Sequence, residues 1–338
     1  MEVSSVSGSS QASNLKNLSA NSQVAFNCPL VSVVIPAYNR VNSIRTSVDS
    51  VLQQTYRPIE VIVVDDGSTD GTSEALNVYG KQILVIRRKN GGPSAARNSG
   101  VAVAKGEIVA FLDSDDTWEP TKLERQVRLM LLGGNNIVCC ICNARTVVDG
   151  NPGQTSFEIA GIDCSIDEGF WLNPADLIAT RFVLFNQVVA IRKEAYVKIG
   201  GFKEHMRLLE DHDLAFRLSL LGPWAFVSEP LVSKFDLADG IGVTARLDPF
   251  AHATAWANTL RGFLEEPLAG KAVRHWIVIA LREVEIEIKA VRMGLKGGTV
   301  SGFVSRTVML GLRYKGAIRR RCPGWPKAKV VETIASSD

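Results

Sequence analysis

The chain has 338 residues, 46% of them hydrophobic and 22% charged, with a net charge of +3, the make-up of an ordinary globular protein. That length suits one large α/β domain with an appendage, or two modest domains. No apolar run approaches the roughly 20 residues of a membrane span. The first 28 residues lack the basic-then-apolar pattern of a signal peptide, so neither an integral membrane protein nor a secreted one is expected.

Residues 1–28 are rich in Ser, Asn and Gln and read as a disordered leader. A strand–helix alternation then begins. Strands are predicted over 31–36, 59–66, 83–87 and 108–113, with helices over 43–54, 69–79, 93–105 and 119–132 between and after them. Four strands alternating with four helices imply a parallel, doubly wound sheet with right-handed crossovers. After Gly134 the pattern changes. Residues 137–148 and 188–192 read as strands of a mixed or antiparallel extension, 151–173 as an irregular loop, and 210–222 as a helix with acids in its first turn. Beyond residue 247, amphipathic helices are expected around 251–263, 271–293 and 304–315. The organisation is thus a leader to 28, an α/β domain over 29–245 and a helical extension over 246–338.

Three of the six cysteines fall in VCCIC (Cys139, Cys140, Cys142), the pattern of a buried strand with structural thiols, which fits a reducing cytoplasm. From Lys289 onward eleven Lys or Arg face two acids, a surplus of +9 that leaves −6 on the preceding body. Such a basic tail suits anionic lipid or nucleic acid, or is a solvated face. An apolar stripe (Trp276, Ile277, Ile279, Ala280) followed by Arg319, Arg320 and Arg321 has the form of a peripheral membrane anchor, packing on the body being the alternative.

The most informative segment is DSDD, Asp113 to Asp116, closing the apolar run EIVAFLD. Three carboxylates at the carboxyl edge of a parallel sheet stand where α/β folds bind ligands. Close carboxylates raise one another's pKa, and a divalent metal with a nucleotide diphosphate would hold them together, hard oxygens suiting Mg²⁺ or Mn²⁺. The plainer alternative is a turn in which Asp115 or Asp116 caps the next helix.

The first strand ends in IPAYNR, where Pro36 is expected to end sheet pairing and Tyr38 to offer a ring for a base to stack on. VVDDGSTDGT brings Asp65 and Asp66 to the same edge, able to accept from a base N–H or a ribose hydroxyl. NGGPSAARNSG opens a helix whose N-terminus offers free N–H groups to an anion, with Gly91 and Gly92 allowing close approach and Arg97 one turn in, near the acids. Later, Gly200 and Gly201 read as a flexible loop open to an acceptor. In EDHD, Glu210 or Asp211 is a candidate general base while the other, or Asp213, caps the helix. His212 reads as structural.

In this order, VSVVIPAYNR, VIVVDDGSTDGT, GGPSAARNSG, IVAFLDSDD, IGGF and EDHDLAFRL resemble a family 2 glycosyltransferase of the GT-A fold over residues 31–221. The resemblance implies an α/β, doubly wound mixed sheet with a helical C-terminal extension. It implies an inverting transfer of a sugar from a UDP-, GDP- or dTDP-sugar to a glycan or lipid-linked acceptor, and no nucleic-acid partner. It places Pro36, Ala37 and Tyr38, with Asp65 or Asp66, in the base and ribose pocket; Asn39, Arg97 and Asp113 are further candidates for contact with the donor. Asp113 and Asp115 would match the Asp-x-Asp pair that holds Mg or Mn, Asp115 more directly, and Asp211 would be the base. No Gln-x-x-Arg-Trp motif follows the Glu-Asp pair, which argues for single-sugar transfer, in polysaccharide or glycolipid biosynthesis, over processive synthesis. The alternatives are a sugar nucleotidyltransferase, which would want glycines after the first strand that IPAYNR lacks, and a catalytically silent nucleotide-sugar-binding protein, which would have lost the acids at 115 or 211.

Overall fold

In the computed structural model, which describes residues 28–162, 165–181, 183–236, 249–292 and 330–332, the chain enters its sheet at β1 (Val31–Ala37). All seven residues of β1 are buried, as its unbroken apolar run requires of a strand covered on both faces. Helix α1 (Ile44–Leu52) leads to β2 (Ile59–Asp65), and α2 (Thr72–Leu76) with a short 3-10 segment leads to β3 (Leu84–Arg87). Both strands lie parallel on one side of β1. Helix α3 (Pro93–Val103) then carries the chain back to β4 (Ile108–Phe111), parallel to β1 on its other side. The order of strands reverses between β1 and β4, and such a switch point opens a crevice beyond the carboxyl ends. The crevice is where the candidate residues gather.

Pro36 does not end the sheet, contrary to the sequence reading. Pairing to β2 continues through Pro36–Val64 and Ala37–Asp65. On the β4 side pairing stops at Val34–Phe111, so the missing N–H of Pro36 leaves no gap in that ladder.

Beyond β4 a two-residue strand β5 (Thr117–Trp118) precedes helix α4 (Lys122–Leu132). Neither Asp115 nor Asp116 therefore caps a helix; the segment is a turn in which the Asp116 N–H donates to the Asp113 carbonyl at 3.1 Å. The extension is mixed, as expected. It runs through β6 (Cys139–Val148), β7 (Asn151–Thr155), α5 (Ser156–Ala160), β8 (Glu168–Trp171) and α6 (Pro174–Ile178) to β9 (Val189–Arg192) and α7 (Lys193–Lys198). Strand β9 lies antiparallel to both β4 and β6. The stretch expected to be irregular holds two strands and a capped helix. Thr155 accepts from the Glu158 N–H while Glu158 accepts from the Thr155 N–H, a capping box.

Helix α8 (Glu210–Ser219) is followed by β10 (Trp224–Asp236), which pairs with β6 in parallel and shifts register around Pro230. The C-terminal helices α9 (Pro249–Glu265) and α10 (Lys271–Arg292) pack as a pair, and β11 (Val330–Glu332) adds to the edge at β8. The expected helix at 304–315 and Arg319–Arg321 lie outside the described residues. No helix among the described residues is long and apolar enough to cross a membrane.

The VCCIC thiols are buried in β6, and desolvation raises all three of their pKa values, so they stay protonated and structural. Ile277, Ala280 and Val284 of α10 are buried, with Trp276 and Ile279 half-buried, so the apolar stripe is largely spent on packing. His212 is likewise a core residue, its ring 4.5 Å from that of Trp256 and 5.6 Å from that of Phe263, both on α9.

Candidate active site

Three strand ends are laced together. After β1, the Asn39 N–H donates to Ser68 Oγ (3.0 Å), Arg40 N–H to Thr72 Oγ1 (2.8 Å) and Val41 N–H to Asp70 (3.1 Å), all from the loop after β2. The Asn39 amide accepts in return from Thr69 N–H at 2.9 Å. Asn39 takes a left-handed backbone (φ 53°), which its short polar side chain tolerates. Ser43 Oγ donates to the Ser114 carbonyl at 2.8 Å, and Arg40 Nη2 lies 3.3 Å from Asp115 Oδ2, tying β1 to the end of β4. Tyr38 stands on this ledge, 48% exposed, with Pro36 and Ala37 buried beneath it.

Asp65 and Asp66 are buried and already engaged. Asp65 accepts from Ser68 N–H and Ser73 Oγ and lies 3.7 Å from Arg87. Burial would raise its pKa, but the Ser68 and Ser73 hydrogen bonds and Arg87 together hold it below the usual range. Asp66 accepts from Gly91 N–H (3.1 Å), Gly92 N–H (2.8 Å) and Arg88 (3.1 Å). The sequence assigns Gly91 and Gly92 only close backbone approach, yet their N–H groups face an anion. The anion they serve is Asp66, because the β2 end lies directly beside the α3 N-terminus.

At the end of β4 the acids diverge in role. Both Asp113 oxygens are held by the protein: Arg97 Nη2 donates to one at 2.6 Å and Gln187 Nε2 to the other at 2.6 Å. Asp115 is 45% exposed, with Arg40 its cation. Burial first, and then the Asp113 charge, raise the Asp115 pKa. Asp116 is buried; one oxygen accepts from Phe235 N–H at 3.0 Å and the other has no hydrogen-bond partner among the described residues. Burial, Asp113 and Asp115 push it up to about 8. Carboxylates held close, one oxygen orphaned, describe a place short of positive charge. The donor set is hard oxygen, the chemistry that suits Mg²⁺ or Mn²⁺, while among the described residues no three acids, histidines or cysteines converge as a metal-holding group.

Arg97 is the centre of the site. It is 4% exposed, sits under Asp113, reaches Glu210 Oε1 at 3.5 Å through Nη1, and lies 5.2 Å from the Phe202 ring centroid. In the orientation that satisfies both groups, the Asn186 amide oxygen accepts from Nη2 at 3.2 Å and Nη1 at 3.3 Å. The α3 arginine thus joins the end of β4 to the start of α8. Next to Glu210, Asp211 is half-buried and its carboxyl is pushed up to about 7 by burial and then by Glu210, against the pull of Arg97.

The loop before α8 is fixed where the sequence suggested flexibility. Gly200 and Gly201 adopt φ of 76° and 68°, and a Cβ on Gly201 would meet Asn98 Oδ1 at 2.8 Å and the Tyr196 ring at 3.0 Å. Asn98 accepts from Phe202 N–H and donates to its carbonyl, both at 3.0 Å. Arg217, paired with Asp213, donates to the carbonyls of Ile199 (2.7 Å) and Gly201 (2.8 Å). Glycine here supplies left-handed backbone and space for Asn98 rather than mobility.

The structure brings Asp113, Asp115, Arg97 and Asp211 to one crevice, with Tyr38 and Asn39 on the neighbouring ledge. Asn186 and Gln187 are not among the site residues the sequence suggests, and Asp116 is there only as a member of the DSDD cluster or a helix cap. The signal for the first two was a polar pair interrupting the apolar run that leads into β9.

A doubly wound sheet with this crevice has the GT-A architecture, and the comparisons agree on the fold. A profile described as glycosyl transferase family 2 matches residues 32–199. Over 218 residues the chain is 31% identical to an uncharacterized glycosyltransferase of Haemophilus influenzae, covering 60% of this chain and 67% of that protein. The chain belongs to the family 2 glycosyltransferases. Rickettsial relatives vary in length, the chain spanning 74% of the R. prowazekii protein, 64% of the R. typhi one, and 35% and 34% of those from R. felis and R. bellii. Among solved structures, S. aureus TarS 1-349 in complex with UDP-GlcNAc superposes with a TM-score of 0.59 at 21% identity, covering 74% of this chain and 71% of that one. The mannosyltransferase PcManGT from Pyrobaculum calidifontis, in complex with GDP-Man and Mn²⁺, gives 0.54 at 18% identity, covering 88% and 82%. At those identities the likeness establishes the fold.

Proposed function

We propose that the chain is a metal-dependent, inverting glycosyltransferase that moves a single sugar from a nucleoside-diphosphate sugar to an acceptor hydroxyl, in polysaccharide or glycolipid biosynthesis. The observation that carries this is Arg97, which links the strand-end acid Asp113 to Glu210, beside Asp211, across one crevice. A donor lying along that crevice has its nucleoside on the Tyr38–Asn39 ledge above Asp65 and Asp66, and its diphosphate toward Asp115. Asp115, with Asp116 beside it and Asp113 behind, would hold Mg²⁺ or Mn²⁺, which when bound neutralises the charge gathering on the diphosphate.

Asp211 takes the proton of the acceptor hydroxyl. The acceptor oxygen then bonds to the anomeric carbon as the bond to the diphosphate breaks, its electron pair leaving with the diphosphate. One displacement inverts the centre and needs one base, and a carboxyl poised near neutrality suits that task. The Asn98 and Arg217 contacts hold the loop at residues 199–202, so that the acceptor approaches a fixed wall. Asp113 serves chiefly to anchor Arg97 and is the weaker candidate for a direct metal ligand, since both its oxygens are occupied.

A catalytic unit over 29–245 and a C-terminal extension from 246 complete the reading, with peripheral contact to anionic lipid at the inner membrane face resting on the basic residues beyond 292. The test is to incubate purified protein with UDP-, GDP- and dTDP-sugars, Mn²⁺ and candidate glycan or lipid-linked acceptors. Proton NMR of the product then reads the anomeric configuration. Retention at the transferred sugar, or no donor turnover with any sugar nucleotide, contradicts the proposal.

A further inference from the structure

The Arg40 backbone is fixed. Its N–H donates to Thr72, and its carbonyl accepts from Ser43 (3.1 Å) and Ile44 (2.9 Å), opening α1. Its side chain is 43% exposed, as is 45% of Asp115, and apart from the Asp115 pair it makes one exposed hydrogen bond, Nη1 donating to the Asn39 carbonyl at 3.3 Å. An exposed pair at 3.3 Å is weak and opens readily. Arg40 also stands between the two ends of the crevice. Tyr38 and Asn39 precede it on the ledge, and the Asp113–Asp116 run faces it. A ligand reaching from ledge to acids must pass the guanidinium. Its phosphates are the groups that would lie there, and a guanidinium fork suits phosphate oxygens.

We infer that Arg40 is a stand-in cation on Asp115 that, when a divalent ion takes Asp115, turns onto the diphosphate of the donor. This rests on the metal reading of Asp115 given above. Two effects of opposite sign follow. Without nucleotide, Arg40 competes with the ion for one carboxylate and weakens ion binding. With nucleotide, it adds a contact to the phosphates and strengthens diphosphate binding. A guanidinium that merely staples two loops would produce neither effect.

The test uses the full chain and its Arg40→Gln and Arg40→Lys variants. Free Mn²⁺ is titrated by electron paramagnetic resonance with no nucleotide present. Calorimetry with saturating Mn²⁺ then measures UDP, GDP and dTDP, and the monophosphate of whichever binds tightest. For Arg40→Gln the expected result is several-fold tighter Mn²⁺ binding. The diphosphate should bind about ten-fold more weakly, one lost charged hydrogen bond. Affinity for the monophosphate should change much less, and Arg40→Lys should fall between. Unchanged or weaker Mn²⁺ binding in Arg40→Gln, or equal losses of di- and monophosphate, overturns the role of Arg40 while leaving the metal reading standing. A wild-type chain that binds no Mn²⁺ overturns both.

Discussion

Arg97 and Asp113 meet at 2.6 Å, the arginine 4% exposed and the aspartate 26%, so the strand-end acid most visible in the sequence is held by a buried cation. That pair, extended to Glu210, makes one charged chain from the end of β4 to the start of α8.

Breaking the chain at its centre should be severe. Arg97→Met leaves Asp113 and Glu210 without their cation, and losing one partner of a buried pair costs about 3–5 kcal/mol. Arg97→Lys should recover part of the stability and little activity, because one ammonium cannot reproduce the fork that meets Asp113, Glu210 and Asn186 together. Chemical denaturation with a turnover assay checks both; wild-type stability in Arg97→Met would contradict the network.

Asp211 should set the alkaline rise of the reaction. With its carboxyl pushed up to about 7, it is protonated and idle as a base below that pH, so kcat/KM should climb through about pH 7 and then level. The same shift acts on stability: folding favours the protonated form, so this stabilising contribution is present at low pH and is lost as pH rises through about 7. Asp211→Asn should remove that limb and lower transfer by about 10²–10⁴-fold with donor affinity nearly unchanged. Loss of donor affinity with turnover intact would move Asp211 out of the reaction.

Gly201→Ala tests the wall. The new Cβ would lie 2.8 Å from Asn98 Oδ1 at a φ of 68°, so the loop must shift or the Asn98 bonds break. A loss of about 1–3 kcal/mol is expected, with transfer falling more than donor binding. Equal stability measured by thermal unfolding would mean the loop is as adaptable as its sequence suggested.

Much of this was legible before the structure. Buried parallel strands announce themselves as unbroken apolar runs, and Asp113 at the end of such a run had to reach the carboxyl edge. What the sequence could not show is which donor each acid meets. Asp66 and the Gly91–Gly92 N–H groups are 25 and 26 residues apart and satisfy one another across the β2–α3 junction. Asn186 and Gln187 reach Arg97 and Asp113 from the far half of the chain. Strand β10 was missed because Pro230 breaks its alternation, and the register shift there is how the sheet accommodates it.

The C-terminal pair should act as part of the body. Phe263 of α9 stacks on Phe216 of α8 at 3.8 Å between ring centroids, and Phe263→Ala should cost about 3–5 kcal/mol, the range for a buried ring removed to a cavity. A much smaller loss, by urea denaturation, would make α9 a loosely attached appendage.

Asp115 is proposed to hold the ion that makes donor turnover possible. Nucleoside diphosphate release should be measured for wild type and Asp115→Ala, each with Mn²⁺ and with EDTA, after circular dichroism confirms the variant is folded. Release from wild type that needs Mn²⁺ and vanishes in Asp115→Ala is the expected result. Turnover by a folded Asp115→Ala in EDTA at the wild-type rate would contradict it.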